Sequence, residues 1–338
     1  MAGFPVGVVG ANGFLGGELV RLLELHPDLE LTAVVAGASA GKPLREARPS
    51  LPVPLVLERF DADRLAEDCR AVFLALPHGE SAVAARALVE RGVKVIDLGS
   101  DLRIKDPEEH RRWYGRPQDD EALAAEAFYS LPELTGEIPE STRAIANPGC
   151  FATALNLATA PLVPHLAPGA RLTVFGITGS SGSGISPAAG VHHSTRTTSF
   201  VAYKSLEHQH LGEVNQLLAT RGPAPELVFV PHSAPLVRGI LLTMAIPSAD
   251  LSGDPFAILD GAYAEHPFVD VGRGEIPLGA VVGSNRCQLS VVQKGSTTLV
   301  FAAIDNLLKG GSGQAVQNLN RWLGLPETAG LPRLGMWP

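Results

Sequence analysis

Phe4-Pro5-Val6-Gly7-Val8-Val9-Gly10-Ala11-Asn12-Gly13-Phe14-Leu15-Gly16 reads as a short apolar strand, a glycine turn and the first turn of a helix. The helix follows from Leu15, Leu19, Leu22, Leu23 and His26, which recur on one side at amphipathic spacing. A second apolar run at residues 29–35 completes strand, turn, helix, strand, the order of a dinucleotide-binding unit. In that context Gly10, Asn12, Gly13, Phe14, Leu15 and Gly16 become candidate cofactor residues, because glycines let backbone approach a pyrophosphate and the helix start offers amides and positive potential. The spacing is GxxGxxG, not GxGxxG, and glycine-rich turns also occur where tight packing is the sole need.

Outward from this unit, apolar runs at 71–76, 93–98 and 143–146 alternate with helical patterns, which predicts a parallel α/β sheet of Rossmann type. Beyond residue 150 the pattern changes. One helix at about 150–160 is followed by longer strand candidates near 171–177, 197–203, 226–231, 237–247 and 287–303, predicting a mixed or antiparallel α+β domain. Leu308, Ala315, Val316, Leu319, Trp322 and Leu323 have helical spacing after Asp305-Asn306, and that helix is expected to return to the first domain. The expected division is residues 1–147 with 306–338 for the cofactor and 148–305 for catalysis and oligomerisation.

Size and composition narrow the class. A chain of 338 residues suggests two domains, and 45% hydrophobic with 18% charged residues is a globular composition. No apolar run approaches the roughly 18 residues of a membrane span, and no secretory pattern precedes the first strand, so the cytoplasm is expected. A net charge of −8 without Lys/Arg blocks argues against nucleic-acid binding. Three cysteines, Cys69, Cys150 and Cys287, are too few and scattered for a disulfide framework or a zinc cage, so no metal is expected.

Cys150 ends the run Asn147-Pro148-Gly149-Cys150, where a Pro-Gly turn meets a helical pattern beginning on the cysteine. Helix-start amides and the positive end of the dipole favour thiolate over thiol, which suits a nucleophile; a buried small hydrophobe is the alternative. A thiolate needs a proton carrier, and His208 and His210 in Glu207-His208-Gln209-His210 are the candidates. Gly176 to Pro187 is rich in glycine and serine and suits either an anion or nicotinamide cradle or a surface loop. His192-His193-Ser194-Thr195-Arg196 reads as loop polar residues or substrate ligands. Arg103 follows a strand end, where open α/β sheets bind ligands, and its fork suits phosphate or a surface ion pair. After the second strand, Val35-Ala36-Gly37-Ala38-Ser39 lacks the acid that clasps a ribose hydroxyl; this leans toward NADP, with Ser39 and Lys42 as the nearby phosphate partners.

Taken in order, GANGFLGGEL (10–19), LPHG (76–79), DLGSDLR (97–103), YSLPEL (129–134), NPGC (147–150), HQH (208–210), VRGI (237–240) and IDNLLKGGSGQAVQNLN (304–320) resemble the N-acetyl-gamma-glutamyl-phosphate reductase family, relatives of aspartate-semialdehyde dehydrogenase. The resemblance runs essentially end to end. It implies Cys150 as nucleophile, His210 as acid/base, and the Gly10–Gly16 turn as an NADP site in arginine biosynthesis. It further implies that Gly179, Ser181, Gly182 and Asn306 lie toward the nicotinamide, that Arg103 binds the substrate phosphate, and that Asn147, His208 and Arg238 serve the substrate or brace its pocket.

Two departures bear on these expectations. The family often carries a Ser-Arg pair where this chain has Ala36-Gly37. The Val191-His192-His193 stretch and the Tyr203-Lys204 approach to HQH look closer to the branch that reduces carrier-bound aminoadipyl phosphate in lysine biosynthesis, which would bring an acidic carrier protein as partner. A homodimer or homotetramer is expected from the family and the strand-rich second half. From a different class stands a nucleotide-sensing binding protein that lost turnover, in which Cys150 and the histidines are packing residues.

Overall fold

The computed structural model describes residues 3–337. The chain divides into two compact units, Met1–Pro148 with Gly311–Leu331 and Gly149–Gly310 with Pro332–Pro338.

The first unit is built on six parallel strands, β1 Phe4–Val9, β2 Leu29–Val35, β3 Ala71–Leu74, β4 Lys94–Asp97, β5 Phe128–Tyr129 and β6 Ala144–Ala146, in the order β2-β1-β3-β4-β6-β5. The central strands are buried on both faces, so they are continuous Val/Ile/Leu/Ala runs and not alternating ones. Helices cover the sheet. Asp61 and Asp106 each start a helix by accepting two main-chain N–H groups from its first turn, and Asp120 starts another by accepting the Leu123 N–H. The order in which strands are added switches side between β1 and β3, the position in open α/β sheets where a ligand crevice opens above the strand ends. The expected strands are present apart from small changes at their ends; β5, two residues long, carries too little pattern to be read.

The returning helix, Gly313–Trp322, packs in this unit against the helix Phe14–Leu23 and β4. Its apolar stripe is only part of the reason. Ser312 Oγ donates to the Leu15 carbonyl at 2.8 Å, Asn318 Nδ2 donates to the Ser130 carbonyl and Asn147 Oδ1, both at 3.0 Å, and Asn320 Oδ1 meets His26 Nε2 at 3.0 Å. The helix is therefore buried nearly all round, with Asn318 and Asn320 satisfied inside the protein while the buried Gln314 amide has no hydrogen-bond partner among the described residues.

The second unit carries a seven-stranded mixed sheet in the order β11-β12-β13-β10-β7-β9-β8. These strands are β7 Arg171–Thr178, β8 Val201–Ala202, β9 Glu226–Ser233, β10 Ile240–Pro247, β11 Val269–Arg273, β12 Cys287–Lys294 and β13 Thr297–Ile304. The run expected as one strand over 287–303 is a hairpin, turned at Gly295, whose φ of +59° falls in the left-handed region. The strand expected over 197–203 shrinks to β8, and residues His193–Arg196 before it form a single helical turn. On the inner face Leu172, Val174, Leu242, Met244, Val300 and Ala302 are buried; the helix Cys150–Thr159 packs on β10 and β13 and the helix Pro255–Tyr263 on β11 and β12. Gly176 makes room there: a Cβ on it would come within 2.7 Å of the Phe151 ring and 2.9 Å of the Phe229 ring. The outer face alternates with the inner one. Phe301, Thr243 and Phe175 lie in register across β13, β10 and β7, and Phe175 is 47% exposed.

Candidate active site

Cys150 is the first residue of the helix Cys150–Thr159, entered from Gly149 in extended conformation with no side chain capping it. The Ala- and Leu-rich sequence that follows favours helix. The cysteine is partly exposed, while Phe151 beside it is buried. With no side chain capping them, the first-turn amides retain their positive potential around the sulfur.

His210 likewise begins a helix, His210–Leu218, in the same unit. Glu213, three residues on and fully buried, ties the two helix starts together: its Oε2 accepts the Gly149 N–H at 2.9 Å and its Oε1 lies 4.0 Å from His210 Nε2. Glu213 was not among the sequence candidates. Its i, i+3 spacing from His210, which puts both on one helix face, was the available signal.

His208 has a different character from His210. Its Nδ1 accepts the His210 main-chain N–H at 3.3 Å, so its own proton sits on Nε2. Its ring packs edge-on against Phe151, Tyr203, Phe229 and His210. Burial, helped by the charges of His210 and Lys204, pushes its pKa down to about 2, so this imidazole stays neutral. Tyr203 is raised well above an ordinary phenol by burial and by the neighbouring Cys150, with Arg196 acting in the opposite direction.

The other residues of this unit form one cluster. Asn306 Oδ1 accepts the Gly239 N–H at 2.7 Å, and its Nδ2 donates to Ser181 Oγ at 3.0 Å. The main-chain N–H groups of Gly179, Ser180 and Ser181 donate to the carbonyls of Gly239, Leu236 and Val237. Gly179 is required by this approach, since a Cβ would fall 2.5 Å from the Val237 carbonyl oxygen; Gly182 stands beside Asn306 with room around it. Arg238 pairs with buried Asp305 through two contacts of 3.0 Å, and Asp305 also accepts the N–H groups of Gly283, Leu307 and Leu308. Arg238 thus braces the turn that carries Asn306.

In the first unit the glycine turn is closely folded. Gly10 has φ +86°, and a Cβ on it would lie 2.2 Å from the Ala75 carbonyl oxygen; one on Gly16 would lie 2.1 Å from the Gly10 carbonyl oxygen. Gly13 N–H donates to the Gly10 carbonyl at 3.0 Å, and the helix Phe14–Leu23 that follows has no capping side chain. The close fold and uncapped amides fit a dinucleotide pyrophosphate. Asn12 Nδ2 donates to Ser39 Oγ at 2.9 Å, joining two of the candidate residues. Arg48, which the sequence reading missed, donates to the Asn12 carbonyl from Nε at 3.1 Å and Nη2 at 2.6 Å. Lys42 is exposed.

Arg103 is 4% exposed and donates from Nε to the Asn147 carbonyl at 2.9 Å and from Nη2 to the Leu98 carbonyl at 2.7 Å. Asn147, fully buried, donates to the Gly311 carbonyl and accepts from Asn318. Beside them, buried Asp97 accepts from Ser81 Oγ and from the Gly99 N–H, and burial raises its pKa to about 6. Among the described residues no group of three His, Cys, Asp or Glu side chains is placed to hold a metal ion, and no helix is long and apolar enough to cross a membrane.

A doubly wound parallel domain followed by a mixed-sheet domain with a helix-start cysteine defines an oxidoreductase of the semialdehyde dehydrogenase class, and the chain matches that class in both halves. Residues 5–141 match the family model of the semialdehyde dehydrogenase NAD binding domain and residues 150–306 that of the dimerisation domain. The chain is similar to the N-acetyl-gamma-glutamyl-phosphate reductases of Pseudomonas savastanoi pv. phaseolicola, at 40% identity, and Laribacter hongkongensis, at 41%, each over 98% of this chain and 99% of the relative. Its fold is shared with the aspartate semialdehyde dehydrogenase II of Vibrio cholerae, at TM-score 0.71 and 17% identity over 96% of this chain and 99% of that one. The chain belongs to the N-acetyl-gamma-glutamyl-phosphate reductase family.

Proposed function

We propose that this protein reduces N-acetyl-gamma-glutamyl phosphate to N-acetylglutamate 5-semialdehyde with NADPH, through a thioester on Cys150, as a step of arginine biosynthesis. One observation carries the reading: Cys150 begins an uncapped helix, and Glu213 links that helix start to the one bearing His210. The relatives' names supply the acyl group.

The Cys150 sulfur attacks the acyl carbon, forming the C–S bond while the C–O bond to phosphate breaks and phosphate leaves with the electron pair. Bound NADPH supplies the hydride for the thioester carbon. Helix-start amides at Cys150 hold the oxyanion of the tetrahedral thiohemiacetal, where donors aimed at developing charge contribute most. His210 takes the thiol proton first and hands it to the departing phosphate; in the last step the oxyanion re-forms the C=O bond while the C–S bond breaks and the thiolate returns. His208, held neutral, presents His210 instead of sharing its work. Gly10 to Gly16 with Asn12, Ser39 and Arg48 would hold the dinucleotide, Asn306 with the Gly179–Gly182 loop its nicotinamide end, and Arg103 the substrate phosphate.

A second copy of the chain would cover the outer sheet face along Phe301, Thr243 and Phe175, giving a homo-oligomer. Phosphate-dependent oxidation of N-acetylglutamate semialdehyde with NADP tests the reaction, and mass spectrometry after mixing with the acyl phosphate tests the intermediate. Cys150→Ser is expected to abolish turnover and adduct while leaving NADPH binding nearly intact. An adduct on another side chain would refute the mechanism.

A further inference from the structure

Arg196 ends the helical turn His193–Arg196 and is 7% exposed. Its Nη1 donates to Ser233 Oγ at 2.8 Å and its Nη2 to the Ala234 carbonyl, while its Nε, also buried, has no hydrogen-bond partner. Among the described residues no carboxylate pairs with it. A guanidinium is permanently charged, and burying it against neutral partners alone is unfavourable. An anion completing the Nε edge would remove that cost, since arginine offers two parallel donors to a carboxylate.

Its location points to the substrate. Phe229, Pro231 and Ser233 alternate along β9 and project from one face, so the anchor of Arg196 lies on the side where Phe229 packs against Phe151 and His208. Tyr203 continues the connection: its N–H donates to the Pro231 carbonyl, its ring meets His208 at 5.8 Å, and its hydroxyl responds to the charges of both Arg196 and Cys150. Tyr203 thus stands between the two, acted on by Arg196 and by Cys150, while Arg196 itself is engaged by no residue given a role in the reaction.

We propose that Arg196 is the receptor for the substrate's non-reacting carboxylate, which it binds through its Nε edge, and so selects acyl phosphates of carboxylate-bearing acids. The inference rests on the reaction proposed above and names the group that sets its substrate class.

The test compares N-acetylglutamate semialdehyde with 4-acetamidobutanal, the same aldehyde without the carboxylate, in the phosphate-dependent oxidation. For Arg196→Gln the KM of the first should rise about 10- to 100-fold, the loss typical of a charged hydrogen bond, with kcat within a few fold and the second substrate scarcely affected. Arg196→Lys should restore part of the difference. Equal losses on both substrates, or a loss in kcat alone, would overturn the assignment and leave Arg196 as a staple between its loop and Ser233. A measurement on the unaltered protein does not depend on the variants folding. N-acetylglutamate should protect Cys150 from alkylation about tenfold better than its α-amide, and equal protection would also overturn the assignment. Absence of turnover with N-acetylglutamate semialdehyde would sink the reaction itself, while the protection experiment would still report on Arg196.

Discussion

Gly310 lies so close to Cys150 that a Cβ built on it would sit 2.8 Å from the cysteine Cβ and 3.1 Å from its Cα. The contact comes from the wide π-helical turn Leu308–Ser312, whose Gly310 N–H reaches back to the Asp305 carbonyl at 2.9 Å. Such turns replace regular helix mostly where a functional group must be accommodated. Here the turn sets main chain against the first residue of the nucleophile's helix, and only glycine permits the approach.

Gly310→Ala should therefore displace Cys150. The expected cost is about 1–3 kcal/mol of stability from overpacking, with a fall in kcat of at least about tenfold. Denaturant unfolding and steady-state kinetics measure both. A fully active variant would mean that the helix start tolerates movement.

Glu213 separates a structural from a chemical contribution. Glu213→Ala leaves the buried Gly149 N–H without its partner and should cost about 1–3 kcal/mol. Glu213→Gln keeps an acceptor for that N–H but removes the negative charge 4.0 Å from His210. Its stability should stay near that of the parent while kcat falls. If the two variants lose kcat and stability in parallel, the carboxylate acts through packing alone.

Arg48 holds the Asn12 carbonyl with two nitrogens, and Asn12 in turn donates to Ser39. Arg48→Ala should loosen the glycine turn and raise the Kd for NADPH about tenfold, the order expected for a lost charged hydrogen bond. Fluorescence titration reads this directly, and an unchanged Kd would count against any role of Arg48 at the turn.

Asp97 gives a pH dependence opposite to that of most carboxylates. Burial raises its pKa from 3.8 to about 6, so between those values the folded chain keeps a proton that the unfolded chain has released. Stability from this group is present at low pH and falls as pH rises through that window, by a few kcal/mol at most. The stability difference between the parent and Asp97→Asn should shift in favour of the variant between about pH 4 and pH 7. Denaturation curves at several pH values check this, and a pH-independent difference would contradict it.

Much of the first unit was legible because its signals are local. Val6, Val8 and Val9 read as a buried strand, Leu19, Leu22 and Leu23 as the stripe of a helix, and Gly10 as the residue able to turn between them. The second unit was less so. Residues 197–203 carry two threonines, a phenylalanine, a valine and a tyrosine and look like a strand, yet only Val201–Ala202 pair with β9, because Arg196 ties the preceding residues to Ser233 and Ala234. Cys150, His208 and His210 were conspicuous by residue type. Glu213 and Arg48 were not, since an acid on a helix and an arginine in a loop are commonplace until their partners are known.

The sequence by itself determined where the longer strands and the first helix of the first unit lie, that a glycine turn follows β1 and that Cys150 stands at a helix start, because propensity and period act over a few residues. Only the tertiary structure decided the strand orders and the partners of the distant side chains. Gly149 and Glu213 are 64 residues apart, and what brings their hydrogen-bonding atoms within 2.9 Å is the packing of the two helices against each other. Such a contact depends on register and connection across the whole domain, which no short stretch of residues encodes.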